Sequence, residues 1–438
     1  MIYSEAIQFL YSLRWFGTKL GLTHTAKLAE LAGNPQRQLR FIHVAGTNGK
    51  GSTCAMLESI YRAAGLRVGL FTSPHLVFFG ERIQINRRNV SEMDVVRLVA
   101  QIRKLLRHFS QEEHPTFFEV VTVMALSYFA EQECDLVIWE TGLGGRLDAT
   151  NIVTPLASVI TNIQYDHQKY LGETLASIAA EKAGIIKPGV PVITGTESEE
   201  ALVVIRSAAR ARNASLAVVP FAEAHRPLLG GLRLPLLGAH QNMNAAVAIE
   251  TVRILASSIR VNDHVIGQGL STVDWPGRLQ LVARPSGQRI LLDGAHNVSG
   301  TQALAAALQQ YFPSLKPAMI LGILRDKDWP AMCQILAPLA KRILIVPVHS
   351  ERSAEPHGLA EVCRKANPTA QVAEYDSFMD AWPDVAQEEF VTIAGSLYLI
   401  GEAMERLDLS PGKGKSERGL NEWDEPQRRD NREAGRLI

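Results

Sequence analysis

The sequence FIHVAGTNGKGST, residues 41–53, decides the fold around it. Residues 41–44 are an apolar run with β-branched members, which predicts a buried strand, and apolar residues four apart after Ser52 predict a helix. A glycine-rich turn between a strand and a helix is typical of a phosphate site, because backbone N–H groups and the helix N-terminus both attract an anion. We therefore expect Lys50 to reach the terminal phosphates and the Ser52 hydroxyl to bind Mg²⁺.

This loop departs from the general P-loop pattern. Gly46 and Gly49 have two residues between them instead of four, and Gly51 separates Lys50 from Ser52. The alternative interpretation is a tight strand-to-helix turn that carries a surface lysine. The strand–turn–helix context favours phosphate binding.

The composition is that of a two-domain protein without a dominant charge. The chain has 438 residues, too many for one ordinary core, with 46% hydrophobic and 21% charged residues and a formal net charge of zero. A neutral balance gives no basic signature of nucleic-acid binding. The four cysteines form no CxxC pair, and neither a secretion signal nor an apolar run of membrane-spanning length is present. These features predict a cytoplasmic α/β enzyme that binds neither nucleic acid nor a membrane.

Polar side chains follow several predicted strands of the first domain at the points where these strands end. Ser73 follows one strand, Glu140 ends the strongly apolar strand 135–139, and His167 comes shortly after the next strand. Parallel strands bring their carboxyl ends to one edge, where open α/β sheets bind ligands. An acidic residue there commonly holds Mg²⁺ opposite the phosphate-loop serine. Taken singly, Ser73 and His167 are better explained as structural residues.

Two further residues have open interpretations. Glu119 stands near the start of a very apolar helix, where it either interacts with the helix dipole or faces the nucleotide cleft. Lys182 is placed toward the buried side of a predicted helix over 174–186. A buried lysine needs a partner or a depressed pKa. Alternatively, its ammonium reaches solvent and pairs with Glu181 or Glu173.

A change in composition at DWPGR, residues 274–278, marks the predicted domain boundary, which gives domains at 1–276 and 277–409. Beyond it strands and helices alternate, which predicts a parallel sheet with right-handed crossovers. After residue 407 the apolar pattern stops, and the mixed composition predicts a disordered tail over 410–438. The predicted strands of the second domain are 289–293, 318–322, 342–348, 371–375 and 390–394, and its predicted helices are 298–311, 328–340, 356–366, 377–387 and 396–407.

The chain contains, in this order, the motifs HVAGTNGKGS, TSPHL, TFFE, WETGLGGRLDATN, TNIQYDH, EKAGIIK, HQNMNAA, WPGR, LLDGAHN and AGSLYLIGE. Together they resemble the folylpolyglutamate synthase/dihydrofolate synthase family of the Mur ligase superfamily, over nearly the whole chain up to about residue 407. The short form GTNGKGS is that family's version of the phosphate loop. The resemblance implies an α/β fold, in which a P-loop-containing ATPase domain of the Mur ligase type precedes a smaller Rossmann-like glutamate-ligase domain.

The resemblance also implies roles for individual positions. The implied ATP-binding residues are Gly49, Lys50, Gly51, Ser52, Asn244, Arg278 and Asp293. The implied ligands of two Mg²⁺ ions are Ser73 and Glu140 at one ion and His167 at the other, in addition to the Ser52 hydroxyl expected from the loop itself. The implied pterin or folate-binding residues are Leu20, Gly21, Leu22, Thr116, Phe117, Phe118, Glu119, Leu147, Asp148 and Ala149. The implied glutamate-side residues are His296 and Ser396, and the implied catalytic residues are Lys50, Glu140, His167 and an N-carboxylated Lys182.

The implied reaction is the ATP-dependent addition of L-glutamate to a folate or dihydropteroate carboxylate through an acyl phosphate, a step of folate biosynthesis. The expected partners are these small molecules alone, bound by a monomer. The nearest alternative is another Mur-superfamily amide ligase acting on a peptidoglycan-type precursor, but only 40 residues precede Phe41, too few for a UDP-sugar domain. A P-loop GTPase needs an N-K-x-D motif, which the sequence lacks. A non-catalytic nucleotide-binding module would bind ATP without releasing ADP.

Overall fold

The computed structural model describes residues 1–17, 21–225, 229, 231–409 and 417–422. Their strands form an eight-stranded and a six-stranded sheet. We call the part of the chain that builds the first sheet the N-terminal domain and the part that builds the second the C-terminal domain. The boundary at 276/277 stays a prediction.

The sheet of the N-terminal domain has an antiparallel edge and a parallel centre. Its strands are β1 Phe41–Ala45, β2 Val68–Phe71, β3 Ile83–Ile85, β4 Arg88–Asn89, β5 Leu136–Glu140, β6 Ala157–Ile160, β7 Val192–Thr194 and β8 Leu216–Val218. They lie in the order β4-β3-β2-β5-β1-β6-β7-β8. Among the described strands of this sheet, the pairs β2–β3 and β3–β4 are antiparallel and the other pairs are parallel. Strand β1 pairs with β5 and β6, so the phosphate loop leaves the sheet at the edge where Glu140 ends β5.

Helices cover both faces of this sheet. They are α1 Tyr3–Ser12, α2 Thr23–Leu31, α3 Lys50–Ala63, α4 Glu92–Leu106, α5 Phe117–Glu131, α6 Gln168–Leu171, α7 Leu175–Ala183, α8 Glu199–Ala211, α9 Ala239–Ile254 and α10 Asp263–Ser271. Short 3₁₀ helices lie at Leu13–Phe16, Pro35–Gln38, Phe79–Arg82, Ala149–Ile152, Phe221–His225 and Leu255–Ser257. One apolar core contains residues of α1, α2, α4 and α5, and a second contains residues of α3, α9 and α10.

The C-terminal domain follows the predicted alternation closely. Its strands are β9 Gln280–Ala283, β10 Arg289–Asp293, β11 Ala318–Leu321, β12 Arg342–Ile345, β13 Gln371–Glu374 and β14 Phe390–Ala394. Its helices are α11 Val298–Tyr311, α12 Trp329–Leu336, α13 Pro356–Ala366, α14 Phe378–Ala381 and α15 Leu397–Arg406, with 3₁₀ helices at Ala337–Leu339 and Trp382–Asp384. The strand order is β13-β12-β11-β14-β10-β9, and among the described strands of this sheet only β9 runs antiparallel.

Three features of the C-terminal domain differ from the sequence prediction. The edge strand β9 was not predicted, because it is four residues long and only partly buried. The helices predicted at 328–340 and 377–387 each change to a 3₁₀ helix before their expected ends. Proline explains both changes, since Pro338 and Pro383 have no N–H to donate to the preceding turn.

The prediction of a disordered tail over 410–438 is wrong for residues 417–422. These form a 3₁₀ helix at Arg418–Asn421, and Leu420 is 1% exposed in the core that contains α1. Glu417 Oε2 accepts a hydrogen bond from Phe79 N at 2.7 Å. One apolar side chain and several buried hydrogen bonds order a short segment that composition alone assigns to disorder. The rest of the predicted tail, 410–416 and 423–438, lies outside the described residues.

Within the ranges given above, no helix is both long enough and apolar enough to cross a lipid bilayer.

Candidate active site

A cavity of about 480 Å³ lies between the two domains, at the carboxyl edge of the eight-stranded sheet. Most residues predicted from the sequence line it, although their individual roles stay predictions. These are Gly49, Lys50, Gly51, Ser52, Ser73, Thr116, Phe117, Phe118, Glu119, Glu140, Leu147, Asp148, Ala149, His167, Lys182, Asn244, Arg278, Asp293, His296 and Ser396. Gly21 and Leu22 are not among the lining residues, and Leu20 lies outside the described residues.

The phosphate loop is held in a curled conformation by its own lysine. Lys50 begins α3, and its Nζ donates to the carbonyl oxygens of Gly46 and Thr47 at 3.1 and 3.2 Å. Gly49 has a φ of 81°, and a Cβ at this position would collide with the side-chain amide of Asn244. The loop therefore needs glycine here, and it presents a cation and the N-terminus of α3 to the cavity.

Helix α9 contacts the same loop from the side. Gln241 Nε2 donates to Ser52 Oγ at 3.3 Å, and Asn244 Nδ2 donates to Gln241 Oε1 at 3.0 Å. Sequence reasoning found Asn244 but missed Gln241, which lies one turn earlier on the same helix and is 1% exposed. These two hydrogen bonds connect Asn244, Gln241 and Ser52, and they fix the position of the serine hydroxyl in the phosphate loop.

Glu140 supplies a buried carboxylate to the cavity. Its Oε2 accepts a hydrogen bond from Ser73 N at 3.1 Å, and among the described residues its Oε1 has no hydrogen-bond donor. Burial raises the pKa of Glu140 to about 7, although Lys50 opposes this shift. The part of the chain that the structure describes contains no cluster of three or more His, Cys, Asp or Glu suited to a metal. An ion here would depend on this carboxylate and on the hydroxyls of Ser52 and Ser73, which are hard oxygen donors that suit Mg²⁺.

Lys182 is buried and its charge is disfavoured. Its side chain is 4% exposed on α7, and its Nζ donates to Gly46 O at 2.8 Å. Burial and the nearby Lys50 lower the pKa of Lys182 to about 7. Of the two interpretations drawn from the sequence, the buried one is correct, since Glu181 pairs with Arg146 instead.

Asp166 connects the two domains. Its Oδ1 lies 2.6 Å from Lys327 Nζ, and its Oδ2 accepts a hydrogen bond from Asn297 Nδ2 at 2.9 Å. Burial by itself would raise the pKa of Asp166, but His167, Lys327 and His296 together hold it well below its usual range. Burial lowers the pKa of His167 to about 3, so the imidazole is neutral at pH 7, which is the form that can bind a metal.

Arg278 and Asp293 hold the turn between the domains. Asp293 Oδ2 accepts a hydrogen bond from Leu279 N at 2.7 Å, and its Oδ1 accepts one from Ala295 N at 3.0 Å. Burial lowers the pKa of Arg278, while Asp293 and Glu140 oppose this shift. The predicted nucleotide residues are therefore also the residues that fix the connection to β10.

The polar residues of the predicted pterin side already have protein partners. Glu119 Oε2 accepts a hydrogen bond from Thr116 N at 2.8 Å, and Thr25 Oγ1 donates to Glu119 Oε1 at 3.3 Å. Asp148 Oδ2 accepts a hydrogen bond from Leu143 N at 2.7 Å, and Thr150 donates to its other oxygen. These contacts hold Glu119 at the N-terminus of α5, as the helix-dipole interpretation expects, and its side chain also lines the cavity, as the cleft interpretation expects.

Sequence reasoning missed three arginines that line the cavity: Arg14, Arg82 and Arg352. Arg352 shortly follows β12, so the rule that polar residues gather at the carboxyl ends of parallel strands could have found it. Arg14 lies in a 3₁₀ helix and Arg82 lies just before β3, where no periodicity distinguishes them from surface arginines.

The sequence of this chain matches known protein families over both domains. The model of the Mur ligase middle domain matches residues 44–212, and that of the Mur ligase glutamate ligase domain matches residues 277–397. A dihydrofolate synthase/folylpolyglutamate synthase of Bacillus subtilis is 36% identical over 427 residues, which covers 92% of this chain and 99% of that protein. The chain belongs to the folylpolyglutamate synthase/dihydrofolate synthase family. A folylpolyglutamate synthase of Lacticaseibacillus casei, another member of this family, is 33% identical and covers 93% of this chain and 99% of that protein.

Solved structures of the family have the same fold. Folylpolyglutamate synthase from Thermotoga maritima matches with a TM-score of 0.80 and 33% identity, covering 95% of this chain and 98% of that chain. The Mycobacterium tuberculosis folylpolyglutamate synthase complexed with ADP matches with a TM-score of 0.84 and 29% identity, covering 94% of this chain and 99% of that chain. The predicted fold class is confirmed, and the chain is an ATP-dependent glutamate ligase; the peptidoglycan-type alternative is not favoured.

Proposed function

We propose that this chain adds L-glutamate to the carboxylate of dihydropteroate, of a reduced folate, or of both. The observation that carries this proposal is a cavity that joins the phosphate loop of the N-terminal domain to the polar strand ends of the C-terminal domain. A ligase needs such a cavity, because the phosphate donor and the incoming amine must meet at one carboxylate.

In the proposed reaction the acceptor carboxylate attacks the γ-phosphorus of ATP, which gives an acyl phosphate and releases ADP. The amine of L-glutamate then attacks the acyl carbon, loses a proton, and displaces inorganic phosphate. Lys50 neutralises charge on the transferring phosphoryl group, and the N-terminus of α3 orients the phosphates. His296 and Ser396 would face the incoming glutamate.

We further propose two Mg²⁺ ions, one held by Ser52, Ser73 and Glu140 and the other by His167. Bound Mg²⁺ would neutralise the negative charge of the phosphates. The open oxygen of Glu140 and the neutral imidazole of His167 support these assignments. We also propose that the chain acts as a cytoplasmic monomer with small-molecule partners only, and binds neither nucleic acid nor a membrane.

The substrate proposal predicts phosphate release that depends on all three substrates. Purified protein is incubated with ATP and L-glutamate, and either dihydropteroate or tetrahydrofolate is supplied as the acceptor. We expect phosphate release with at least one acceptor and no release when L-glutamate is replaced by L-alanine. Release that is independent of any acceptor, or ATP binding without ADP formation, would contradict the proposal.

The buried pair between Asp166 and Lys327 predicts that the domains separate when it is broken. Both side chains are 7% exposed, and removing one charge leaves the other buried and uncompensated, at a cost of about 3–5 kcal/mol. We therefore expect Lys327→Met to increase the radius of gyration in small-angle scattering, and a non-hydrolysable ATP analogue to reverse part of the increase. Lys341→Met is the matched control, since Lys341 is 51% exposed and pairs with Glu388 within the C-terminal domain. Equal radii of gyration for the two variants would show that the pair between Asp166 and Lys327 does not hold the domains together.

A further inference from the structure

The segment 417–422, here called the C-terminal strap, contacts both domains. On the N-terminal domain, Glu417 N donates to Val77 O at 3.0 Å, and Tyr3 donates its hydroxyl proton to Glu417 Oε2 at 3.1 Å. On the C-terminal domain, Arg418 Nη1 lies 2.5 Å from Glu405 Oε2. The strap therefore crosses the cleft rather than extending one domain.

The middle of the strap is fixed against the wall of the cavity. Asn421 Oδ1 accepts a hydrogen bond from Arg82 Nη2 at 2.6 Å, and Asn421 Nδ2 donates to His75 O at 2.9 Å. Leu420 is buried in the core of the N-terminal domain. These contacts position the last described residue, Glu422, at the cavity.

Glu422 places a carboxylate on a buried arginine. Arg352 is 3% exposed, and its Nε lies 3.4 Å from Glu422 Oε2. Its Nη2 donates to Tyr398 Oη at 3.0 Å, and its Nη1 lies 3.6 Å from Asp326 Oδ2. The other oxygen, Glu422 Oε1, is buried and has no hydrogen-bond partner in the described part of the chain. Arg352, Tyr398 and Glu422 line the same cavity as Ser396.

This pairing is imperfect in a way that a ligand can improve. A buried carboxylate oxygen without a donor is unfavourable, and the ion pair at 3.4 Å is longer than a strong charge-assisted hydrogen bond. A free carboxylate is not tethered to the strap, so it can approach Nε of Arg352 more closely than Glu422 does. Such a ligand would displace the Glu422 side chain without disturbing the buried anchor at Glu417 and Leu420.

We propose that Glu422 is an internal competitor, whose carboxylate occupies on Arg352 a subsite for a substrate carboxylate. The ligand class is a glutamyl carboxylate, either of free L-glutamate or of the glutamyl tail of a folate acceptor. The strap thereby sets the concentration of acidic substrate at which the enzyme works. This inference rests on the proposed function for its substrates but not for its binding site.

Glu422→Gln tests the competition, because it keeps the shape of the side chain and removes its charge. We expect the KM for the acidic substrate to fall by about tenfold with kcat unchanged, the effect of losing one charge-assisted contact. A lower KM for L-glutamate when dihydropteroate is the acceptor assigns the subsite to free L-glutamate. An effect seen only in the KM of tetrahydrofolate assigns it to the acceptor's glutamyl tail. The matched control is Glu389→Gln, since Glu389 is 70% exposed and is not among the residues that line the cavity.

A second measurement does not depend on turnover. Hydrogen–deuterium exchange of the peptide containing the strap is measured in the wild-type protein, with and without L-glutamate or tetrahydrofolate. We expect one of these ligands, but not L-alanine, to accelerate exchange at residue 422. An unchanged or higher KM in Glu422→Gln, or exchange that no acidic ligand alters, would overturn the proposal. Absence of turnover in the wild type would instead contradict the proposed function and leave the exchange experiment decisive for the subsite.

Discussion

Lys50→Ala is expected to slow ATP-dependent phosphate release by about a thousandfold, the size of effect seen when a preorganised charge-stabilising group is removed. Lys50 is the cation of the phosphate loop. It lines the same cavity as Glu140, and its positive charge lowers the pKa of that carboxyl group. Its two hydrogen bonds are to carbonyl groups of its own loop, so no distant packing depends on it. We therefore expect the loss to fall on kcat while the melting temperature changes little.

The measurement is steady-state phosphate release together with thermal unfolding of the same samples. Glu140→Ala should have a comparable effect on turnover, because it removes the carboxylate at the end of β5. Lys104→Ala is the control, since this lysine is exposed on α4 and is not among the residues that line the cavity. If Lys50→Ala unfolds at a much lower temperature and keeps its activity per folded molecule, Lys50 is a structural residue and the assignment is wrong.

Much of the fold could be predicted because periodicity and strand ends are local properties. The strand–turn–helix around residues 41–53 and the alternation after residue 289 follow from short-range patterns that the structure reproduces. Parallel pairing then forces Ser73, Glu140 and His167 to one edge, although they are far apart in the chain. The cavity contains all three for this reason.

The parts that could not be predicted depend on contacts between distant residues. The strap has a composition typical of disorder, and it is ordered by Val77, Phe79 and Arg82, more than 300 positions earlier. Arg14 also lines the cavity, and its Nε donates to Glu422 O at 3.2 Å. No local pattern in the sequence records such pairings.

Lys182→Ala is expected to lose turnover by about a hundredfold or more, the size of effect seen when a preorganised polar group is removed, and to regain part of it with added formate or acetate. A pKa of about 7 leaves roughly half of the amines neutral at pH 7, whereas the usual value of 10.5 leaves about one in three thousand. The neutral amine can attack CO₂ and lose a proton, which gives a carbamate of opposite charge. The carbamate nitrogen keeps one N–H, which can still donate to Gly46 O.

Two further variants, one at Lys182 and one control, test whether the loss of turnover comes from the charge at this position. Lys182→Arg should be inactive and not rescued, because the guanidinium keeps its positive charge and fills the space that an added carboxylate needs. Lys187→Ala is the control from the same segment, since its Nζ donates to Asn151 O and it does not line the cavity. We expect this control to keep its turnover.

The carbamate itself is measured by carbon-13 NMR with labelled bicarbonate, which does not require turnover. We expect a carbamate resonance in the wild type and in Lys187→Ala and none in Lys182→Ala. Because an unmodified ammonium would sit beside Lys50 in a site that binds polyphosphate and cations, removing it should relieve repulsion and do little harm if no carbamate forms. An active Lys182→Ala variant together with a silent spectrum would therefore show that Lys182 acts only as the hydrogen-bond donor to Gly46.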